Sequence, residues 1–271
     1  RLPSGLLEFE DRTLELSLRR FVRAETGLEV GYAEQLYTFG DRFRDPREVD
    51  GGVRMISAAY LALVREELLG PDAGARFVSW YEFLPWEDWR NGRPALVERE
   101  IRPALQRWAA EHAGRRERVQ ITFGFDGTQW DPERTLERYE LLWEAGLVDE
   151  ARRGEDRPGI GRPLALDHRR MIAQALGRLR GKVRYRPVVF ELLPEEFTLL
   201  RLQRVVESIA GSRLHKQNFR RLVEAAGLVE RTGRFEHTGR GRPAELFGFR
   251  REVLRERPAP GIHFPGARWA R

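Results

Sequence analysis

The sequence predicts an α+β protein with a long N-terminal part of mixed helices and strands and a smaller C-terminal part. Apolar residues recur at helical spacing in residues 14–28. Apolar runs typical of buried strands follow at residues 53–64 and 75–83. From residue 195 the pattern changes to two amphipathic helices and two strand-like arms. The length of 271 residues suits one large domain or two of ordinary size.

The N-terminal part is predicted to contain four helices and four strands. Gly27 suits the C-terminal end of the first helix, and Asp131 and Pro132 suit the start of the third. Asp167 is the expected N-cap of the fourth helix. The predicted helices cover residues 14–28, 93–114, 131–148 and 167–183, and the predicted strands cover residues 53–64, 75–83, 117–125 and 186–194.

We place a domain boundary at residues 193–195, where a proline follows the last predicted strand. The predicted organisation is a first domain of residues 1–193, a second domain of residues 194–258 and a tail of residues 259–271. The first domain contains the most loop-like segment of the chain, residues 152–163.

The excess positive charge lies in the last third of the chain. Residues 186–271 contain 17 Lys and Arg against 10 Asp and Glu, a net charge of +7, while the remainder contains 31 against 32. Only Lys182 and Lys216 are lysines, so the arginine content alone carries little information. The asymmetry predicts an anionic partner for the C-terminal part, with nucleic acid as the first choice.

Several classes of site are excluded by composition and spacing. The chain has no cysteine, which excludes disulfides, thiolate metal sites and cysteine nucleophiles and favours a cytoplasmic location. No apolar run approaches the length of a membrane span. The five histidines show no metal-ligand spacing, and no Gly-rich Lys-Ser/Thr phosphate loop is present. We therefore assign no catalytic residue and no metal ligand.

The C-terminal part has the order of a winged helix. A helix is predicted over residues 195–211, a second over residues 214–229, and a β-hairpin over residues 229–250. Phe219, Leu222 and Val223 form the apolar face of the second helix. Helix, short turn, helix and hairpin is the arrangement of a winged helix-turn-helix domain.

The polar face of the second helix predicts contact with double-stranded DNA. Gln and Asn side chains can pair with adenine and Arg or Lys with guanine, whereas further basic residues can hold phosphates. A solvated basic face is the alternative interpretation. The candidate residues on this helix are His215, Lys216, Gln217, Asn218, Arg220 and Arg221.

The hairpin adds three candidate DNA-binding arginines. Arg240 and Arg242 alternate with glycines at the predicted tip, where glycine allows close approach to a partner. The Arg-Gly-Arg-Pro order of residues 240–243 resembles the core of an AT-hook, whose arginines lie in a narrow minor groove. Arg234 on the first arm is the third candidate.

Residues 20–28, RFVRAETGL, resemble the C-terminal half of a Nudix box. Arg20, Glu25 and Gly27 match the arginine, the last glutamate and the glycine of that motif, while Phe21 and Ala24 replace its other two glutamates. Nudix hydrolases use these carboxylates to bind Mg²⁺, a hard cation that needs clustered oxygen ligands. The resemblance implies a Nudix-like α/β/α sandwich with a mixed sheet that has lost hydrolysis.

Most of the chain resembles the NrtR family of Nudix-related transcriptional regulators. The segments that carry this resemblance are residues 35–46, 56–64, 164–199, 214–229 and 241–249. Residues 85–163 look like an insertion beyond a small Nudix domain, and the first strand of that domain is expected to precede residue 1. The resemblance implies a repressor of NAD-metabolism genes that binds operator DNA through the winged helix.

The resemblance also implies a small nucleotide effector rather than a required cofactor. We expect ADP-ribose, NAD or ATP near the box helix, with Arg20, Glu25, Tyr37, Phe39 and Arg54 as candidate nucleotide-binding residues. A homodimer would present two recognition helices to a near-palindromic operator. Two alternatives remain: an active Nudix hydrolase of ADP-ribose-like substrates with a basic accessory domain, and a protein-interaction module without sequence-selective DNA binding.

Overall fold

The structure is a computed structural model that describes residues 1–42, 44–49, 51–71, 73–152, 158–237 and 243–262. Its contacts divide the chain into two compact units. The first unit comprises Arg1–Glu87 and Pro94–Arg178, and the second comprises Asp88–Arg93 and Leu179–Arg271. A six-residue segment of the predicted insertion therefore packs with the C-terminal residues.

The first unit contains two strands and seven α-helices among the described residues, with the last helix continuing into the second unit. The strands β1 and β2 pair antiparallel, from Tyr32 opposite Leu63 to Phe39 opposite Ser57. Residues 97–101 form a π-helical turn that leads into α4. The elements are α1 (Leu14–Thr26), β1 (Tyr32–Phe39), α2 (Pro46–Val49), β2 (Ser57–Leu63), α3 (Trp80–Phe83), α4 (Arg102–Ala109), α5 (Ala113–Phe123), α6 (Thr135–Glu144) and α7 (His168–Val183).

Helix α1 forms as the sequence predicts, because both of its ends are capped. The Thr13 side chain accepts a hydrogen bond of 3.1 Å from the N–H of Leu16. Gly27 ends the helix in the left-handed region at φ 71°, a conformation that glycine adopts without steric cost. The predicted helices over residues 93–114, 131–148 and 167–183 are also confirmed, with shorter bounds.

Three predicted strands are wrong. In residues 75–83, Ser79 accepts a hydrogen bond from the N–H of Tyr81 and starts α3. Residues 117–125 lie mostly in α5, because Val119 and Phe123 are buried at helical spacing while Ile121, which strand alternation would bury with them, is exposed. Residues 188–192 form a 3₁₀ helix. Short apolar runs do not distinguish a strand from a buried helical turn.

The predicted insertion, residues 85–163, supplies much of the core of the first unit. Trp86, Val97, Ile101 and Leu105 have no exposed surface. The core also holds a buried ion pair, in which Arg138 Nε donates to Glu87 Oε1 at 2.5 Å and its guanidinium lies 3.7 Å from the centre of the Trp130 ring. Within the described residues, the sheet of this unit is the two-stranded ribbon β1–β2.

The second unit has the predicted helix, turn, helix and hairpin. A short strand precedes the first helix, because Thr198 caps that helix by accepting a hydrogen bond from the N–H of Arg201. The three strands pair in the order β3–β5–β4, all antiparallel. The α+β class with a C-terminal winged helix is thereby confirmed. The elements are β3 (Glu196–Thr198), α8 (Leu199–Ala210), α9 (Lys216–Ala225), β4 (Val229–Glu236), β5 (Ala244–Phe249) and α10 (Val253–Glu256).

Candidate nucleic-acid interface and ligand cavity

Helix α9 has one buried face and one fully exposed polar face. Phe219 and Val223 are buried at 1% and 0% exposure and pack the helix onto the unit. His215 is the N-cap residue, and its side chain makes no capping hydrogen bond. The six candidate residues His215, Lys216, Gln217, Asn218, Arg220 and Arg221 are all exposed.

The side chains of these six residues make no hydrogen bond or ion pair with any other residue that the structure describes. Other arginines of the same unit are paired: Arg213 with Glu207 at 3.2 Å and Arg231 with Glu245 at 2.9 Å. Exposed donors without an internal partner can bind base edges or phosphates without first breaking an ion pair.

A buried polar cluster fixes the turn that leads into α9. Gln203 and Glu207 on α8 are 7% and 5% exposed. Glu207 Oε1 accepts hydrogen bonds from the N–H of Leu214 at 2.8 Å and from Gln203 Nε2 at 2.9 Å. Gln203 Nε2 also donates to the carbonyl of Leu214 at 2.9 Å. Both backbone polar groups of Leu214 are thus held by α8.

The hairpin presents a more constrained set of arginines. Arg234 on β4 is exposed but forms an ion pair with Glu196 of β3. Arg231, on the same strand, lies 5.8 Å from the centre of the Phe247 ring. Arg240 and Arg242, predicted at the tip, lie outside the described residues. The wing contact with DNA stays a prediction.

A cavity of about 1490 Å³ lies within the first unit. Its walls come from the N-terminal residues, α1, β2, residues 74–78, residues 162–165 and the first half of α7. Apolar and aromatic groups predominate, with a few polar groups between them, a composition typical of small-molecule sites. The polar and aromatic lining residues include Glu25, Ser57, Tyr60, Arg76, Trp80 and His168.

His168 is a buried member of this lining. Its Nδ1 accepts a hydrogen bond of 3.0 Å from the N–H of Leu2, which holds the N-terminal segment at the cavity. Burial lowers the pKa of the His168 side chain, so the imidazole is neutral at physiological pH. A neutral imidazole with Nδ1 occupied carries its proton on Nε2 and can donate there.

The structure does not bring the five predicted nucleotide-binding residues together. Glu25 lines the cavity and lies 3.7 Å from Arg1. Arg20 donates to Asp11 at 2.8 Å, Arg54 donates to the carbonyl of Gly40 at 3.1 Å, and neither lines the cavity.

The two aromatic candidates also lie outside the cavity lining. Tyr37 is exposed, with its ring centre 5.3 Å from that of Phe39. Phe39 is 2% exposed and belongs to the core. The nucleotide-binding role of the five residues stays a prediction.

Sequence reasoning missed Arg76 and Trp80 as cavity residues. Arg76 is exposed and makes no hydrogen bond or ion pair with the residues that the structure describes. The signal available in the sequence was the Arg-Phe-Val-Ser-Trp run of residues 76–80. This run is predicted as a strand, whereas the structure places Arg76 and Trp80 in the lining of the cavity.

The described residues contain neither a metal-ligand cluster nor a membrane-spanning helix. No group of three His, Cys, Asp or Glu residues there could hold a metal ion. No helix in that part of the chain is long and apolar enough to cross a membrane.

The helix, turn, helix and hairpin of the second unit match a known domain. The model of the NrtR DNA-binding winged helix domain matches residues 189–249. The ADPR responsive transcriptional repressor NtrR of Acinetobacter baylyi is 42% identical over 86 residues, which span 32% of this chain and 34% of that protein. The chain thus matches about a third of the length of this curated relative.

Two crystal structures from Shewanella oneidensis resemble most of the chain in fold. NrtR complexed with a 27mer DNA is 24% identical, with a TM-score of 0.51 over 93% of this chain and 80% of that one. A second crystal structure of NrtR gives the same identity and coverage with a TM-score of 0.50. Residues 189–249 therefore match the NrtR DNA-binding winged helix domain, and the chain has the fold of these two crystal structures.

Proposed function

We propose that this protein is a nucleotide-responsive transcriptional repressor. The observation that carries the proposal is the polar face of α9, where six exposed side chains have no internal partner among the described residues. This helix lies in the segment matched by the NrtR DNA-binding winged helix model. An unpaired basic and amide face on the second helix of such a domain suits the major groove of DNA.

Within this face we assign different roles to different side chains. Gln217 and Asn218 in the first turn would contact base edges and determine sequence preference. Lys216, Arg220 and Arg221 would hold phosphates and fix the register of the helix on the duplex. The wing residues Arg234, Arg240 and Arg242 would add backbone or minor-groove contacts.

We propose that the cavity of the first unit binds the effector, an adenine nucleotide such as ADP-ribose, NAD or ATP. The relative from A. baylyi is named as ADPR responsive, which makes ADP-ribose the first choice. Arg76 supplies an unpaired cation for phosphate, and Trp80 and Tyr60 supply aromatic faces for a base. No hydrolysis is expected, because Phe21 and Ala24 stand where the Nudix motif has glutamates.

We propose that effector binding shifts this cytoplasmic protein from a DNA-binding state to a non-binding state. For tenfold derepression the effector must favour the non-binding state by about 1.4 kcal/mol. A homodimer on a near-palindromic operator in NAD-metabolism genes would place two copies of α9 in successive major grooves.

The first test is fluorescence anisotropy on duplexes of about 30 base pairs, long enough for two half-sites one helical turn apart. The duplexes would be selected by the protein from a random pool and compared with unselected DNA. ADP-ribose, NAD and ATP would then be titrated into the complex. We expect enrichment of a sequence and its release by one of the nucleotides.

Other outcomes would redirect the assignment. No enriched sequence would contradict the repressor proposal and leave a protein-interaction module. Metal-dependent release of AMP from ADP-ribose would support the hydrolase alternative. Selective DNA binding that no nucleotide changes would support the DNA-binding role and contradict the proposed nucleotide effector.

A further inference from the structure

The turn between α8 and α9 is held by residues that lie outside the winged helix segment. A helix leaves its last carbonyls without internal partners, so other groups must satisfy them. Here the carbonyl of Ile209 accepts a hydrogen bond of 3.0 Å from Arg180 Nε. The carbonyl of Gly211 accepts one of 2.7 Å from the N–H of Trp89. Neither Arg180 nor Trp89 belongs to residues 189–249.

Arg180 is a buried arginine near the C-terminal end of α7. It is 5% exposed, whereas Arg178, two residues earlier, is exposed. A buried guanidinium needs hydrogen-bond acceptors, and the end of α8 provides one in a region of negative helix-dipole potential. The contact therefore fixes where α8 ends.

Trp89 belongs to the Asp88–Arg93 segment, which packs in the second unit although its neighbours in sequence belong to the first. The Trp89 side chain is 7% exposed, and the guanidinium of Arg93 lies 5.6 Å from the centre of its ring. Gly211, which accepts from the Trp89 N–H, has a left-handed φ of 73°. This hydrogen bond holds the residue at which the chain leaves α8.

We propose that Arg180, together with the Asp88–Arg93 segment, positions α9 for reading DNA. The two outside contacts fix the end of α8, and Gln203 and Glu207 fix the residue before α9. The direction of α9 then depends on both the contacts at the end of α8 and the hydrogen bonds to Leu214. This inference rests on the proposed function, and it adds positioning residues that the winged helix segment lacks.

The test compares three variants of the full chain. Arg180→Met removes the donor and keeps much of the side-chain volume, while Arg180→Lys keeps a charge and an N–H donor. Arg178→Met is the control, because it removes the same charge from an exposed site of the same helix. Affinity is measured for the duplex selected by the wild-type protein and for random duplex.

Loss of positioning affects sequence reading more than phosphate attraction, so the ratio of the two affinities is the decisive readout. We expect Arg180→Met to reduce this ratio about tenfold, and Arg180→Lys and Arg178→Met to keep it within about twofold of wild type. Hydrogen exchange at the amides of residues 211–216 should be faster in Arg180→Met than in Arg178→Met.

The outcomes separate this inference from the function on which it rests. If the wild-type protein enriches no sequence, the proposed function fails and the inference fails with it. If the wild-type protein is selective and Arg180→Met keeps the wild-type ratio, only the inference is overturned. A parallel loss of specific and random binding would also overturn it. If Arg180→Met does not fold, Arg180→Gln, which is shorter and neutral, replaces it under the same criteria.

Discussion

The N–H of Leu214 donates a 2.8 Å hydrogen bond to the buried carboxylate of Glu207, so α8 determines where α9 begins. The same carboxylate accepts from Gln203, which in turn donates to the carbonyl of Leu214. The Gln203 amide nitrogen and the Glu207 carboxylate thus serve backbone and side-chain partners, and removal of one leaves another without its bond.

We predict that Glu207→Gln destabilises the protein by about 1–3 kcal/mol, because a buried charge-assisted acceptor is replaced by a weaker one that cannot satisfy the same donors. Urea unfolding followed by circular dichroism measures the change. Glu224→Gln on the exposed side of α9 is the control and should stay within about 0.5 kcal/mol of wild type. Equal stability of the two variants would show that the cluster adds nothing.

The two groups of residues on α9 should differ in what they control. Replacing Gln217 and Asn218 by Ala should remove about 1–3 kcal/mol of discrimination for each lost base contact. Replacing Arg220 and Arg221 by Ala should weaken binding to all duplexes and reduce the salt slope by about 1 for each lost phosphate contact. Anisotropy at several salt concentrations separates these effects. A larger loss of selectivity in the Arg220 and Arg221 variant than in the Gln217 and Asn218 variant would contradict the assigned roles.

The cavity assignment predicts an effect of Arg76. Arg76→Ala should weaken ADP-ribose binding about tenfold or more, because a charge-assisted contact to phosphate is worth about 1.5–3 kcal/mol. Isothermal titration calorimetry on the full chain gives the affinity. Arg99→Ala removes an exposed arginine that does not line the cavity and should leave binding unchanged. An unchanged ADP-ribose affinity in Arg76→Ala would mean that the nucleotide binds elsewhere.

The buried ion pair in the first unit should be costly to break. Arg138 donates to Glu87 and also to the carbonyls of Asp131 and Thr122, at 2.9 and 3.1 Å. Arg138→Met should therefore lower the free energy of unfolding by about 3–5 kcal/mol, since it removes the buried guanidinium that pairs with the Glu87 carboxylate. The exposed Arg107→Met serves as the control in the same urea titration. A loss below about 1 kcal/mol would mean that the structure relaxes around Glu87.

The hydrogen-bonded carboxyl of Asp45 should make the free energy of unfolding sensitive to acid. Hydrogen bonds from the Arg47 side chain lower the pKa of the Asp45 carboxyl to about 2. An unfolded aspartate has a pKa of about 3.9, so the ionised group stabilises the fold above that pH. The contribution is lost as the pH falls through about 2.

Wild-type protein and Asp45→Asn should therefore differ in stability at neutral pH and converge below pH of about 2. Thermal unfolding between neutral pH and the acid range measures this convergence. A difference that stays constant over the whole range would contradict the assignment.

The sequence was sufficient for the parts of the fold that carry strong local signals. Gly27 predicted the end of α1, and the spacing of Phe219 and Val223 among polar residues predicted the exposed face of α9. These features depend on neighbours within one or two turns. The residues expected on the polar face of α9 were therefore predicted individually.

The remaining features depend on contacts between residues far apart in the sequence. Arg180 and Trp89 meet the turn before α9 from 29 and 122 residues away, as the hydrogen-bond partners Ile209 and Gly211 show. Neither carries a motif that marks such a role. The effector residues were placed by proximity to the Nudix-like box, whereas the cavity is formed by segments that come together only in three dimensions.

The contacts at the end of α8 also bear on how this DNA-binding module can be inherited or transplanted. A gene fragment cut at residue 189 encodes all the winged helix elements, yet it leaves out Arg180 and Trp89. Fusion of that fragment to a different N-terminal domain would transfer the exposed polar face of α9 without two of the groups that hold the end of α8. A recombinant that keeps these contacts must carry residues 88–93 and 179–183 along. Because residues 88–93 lie within the sequence of the first unit, we expect the two units to be exchangeable only as a pair.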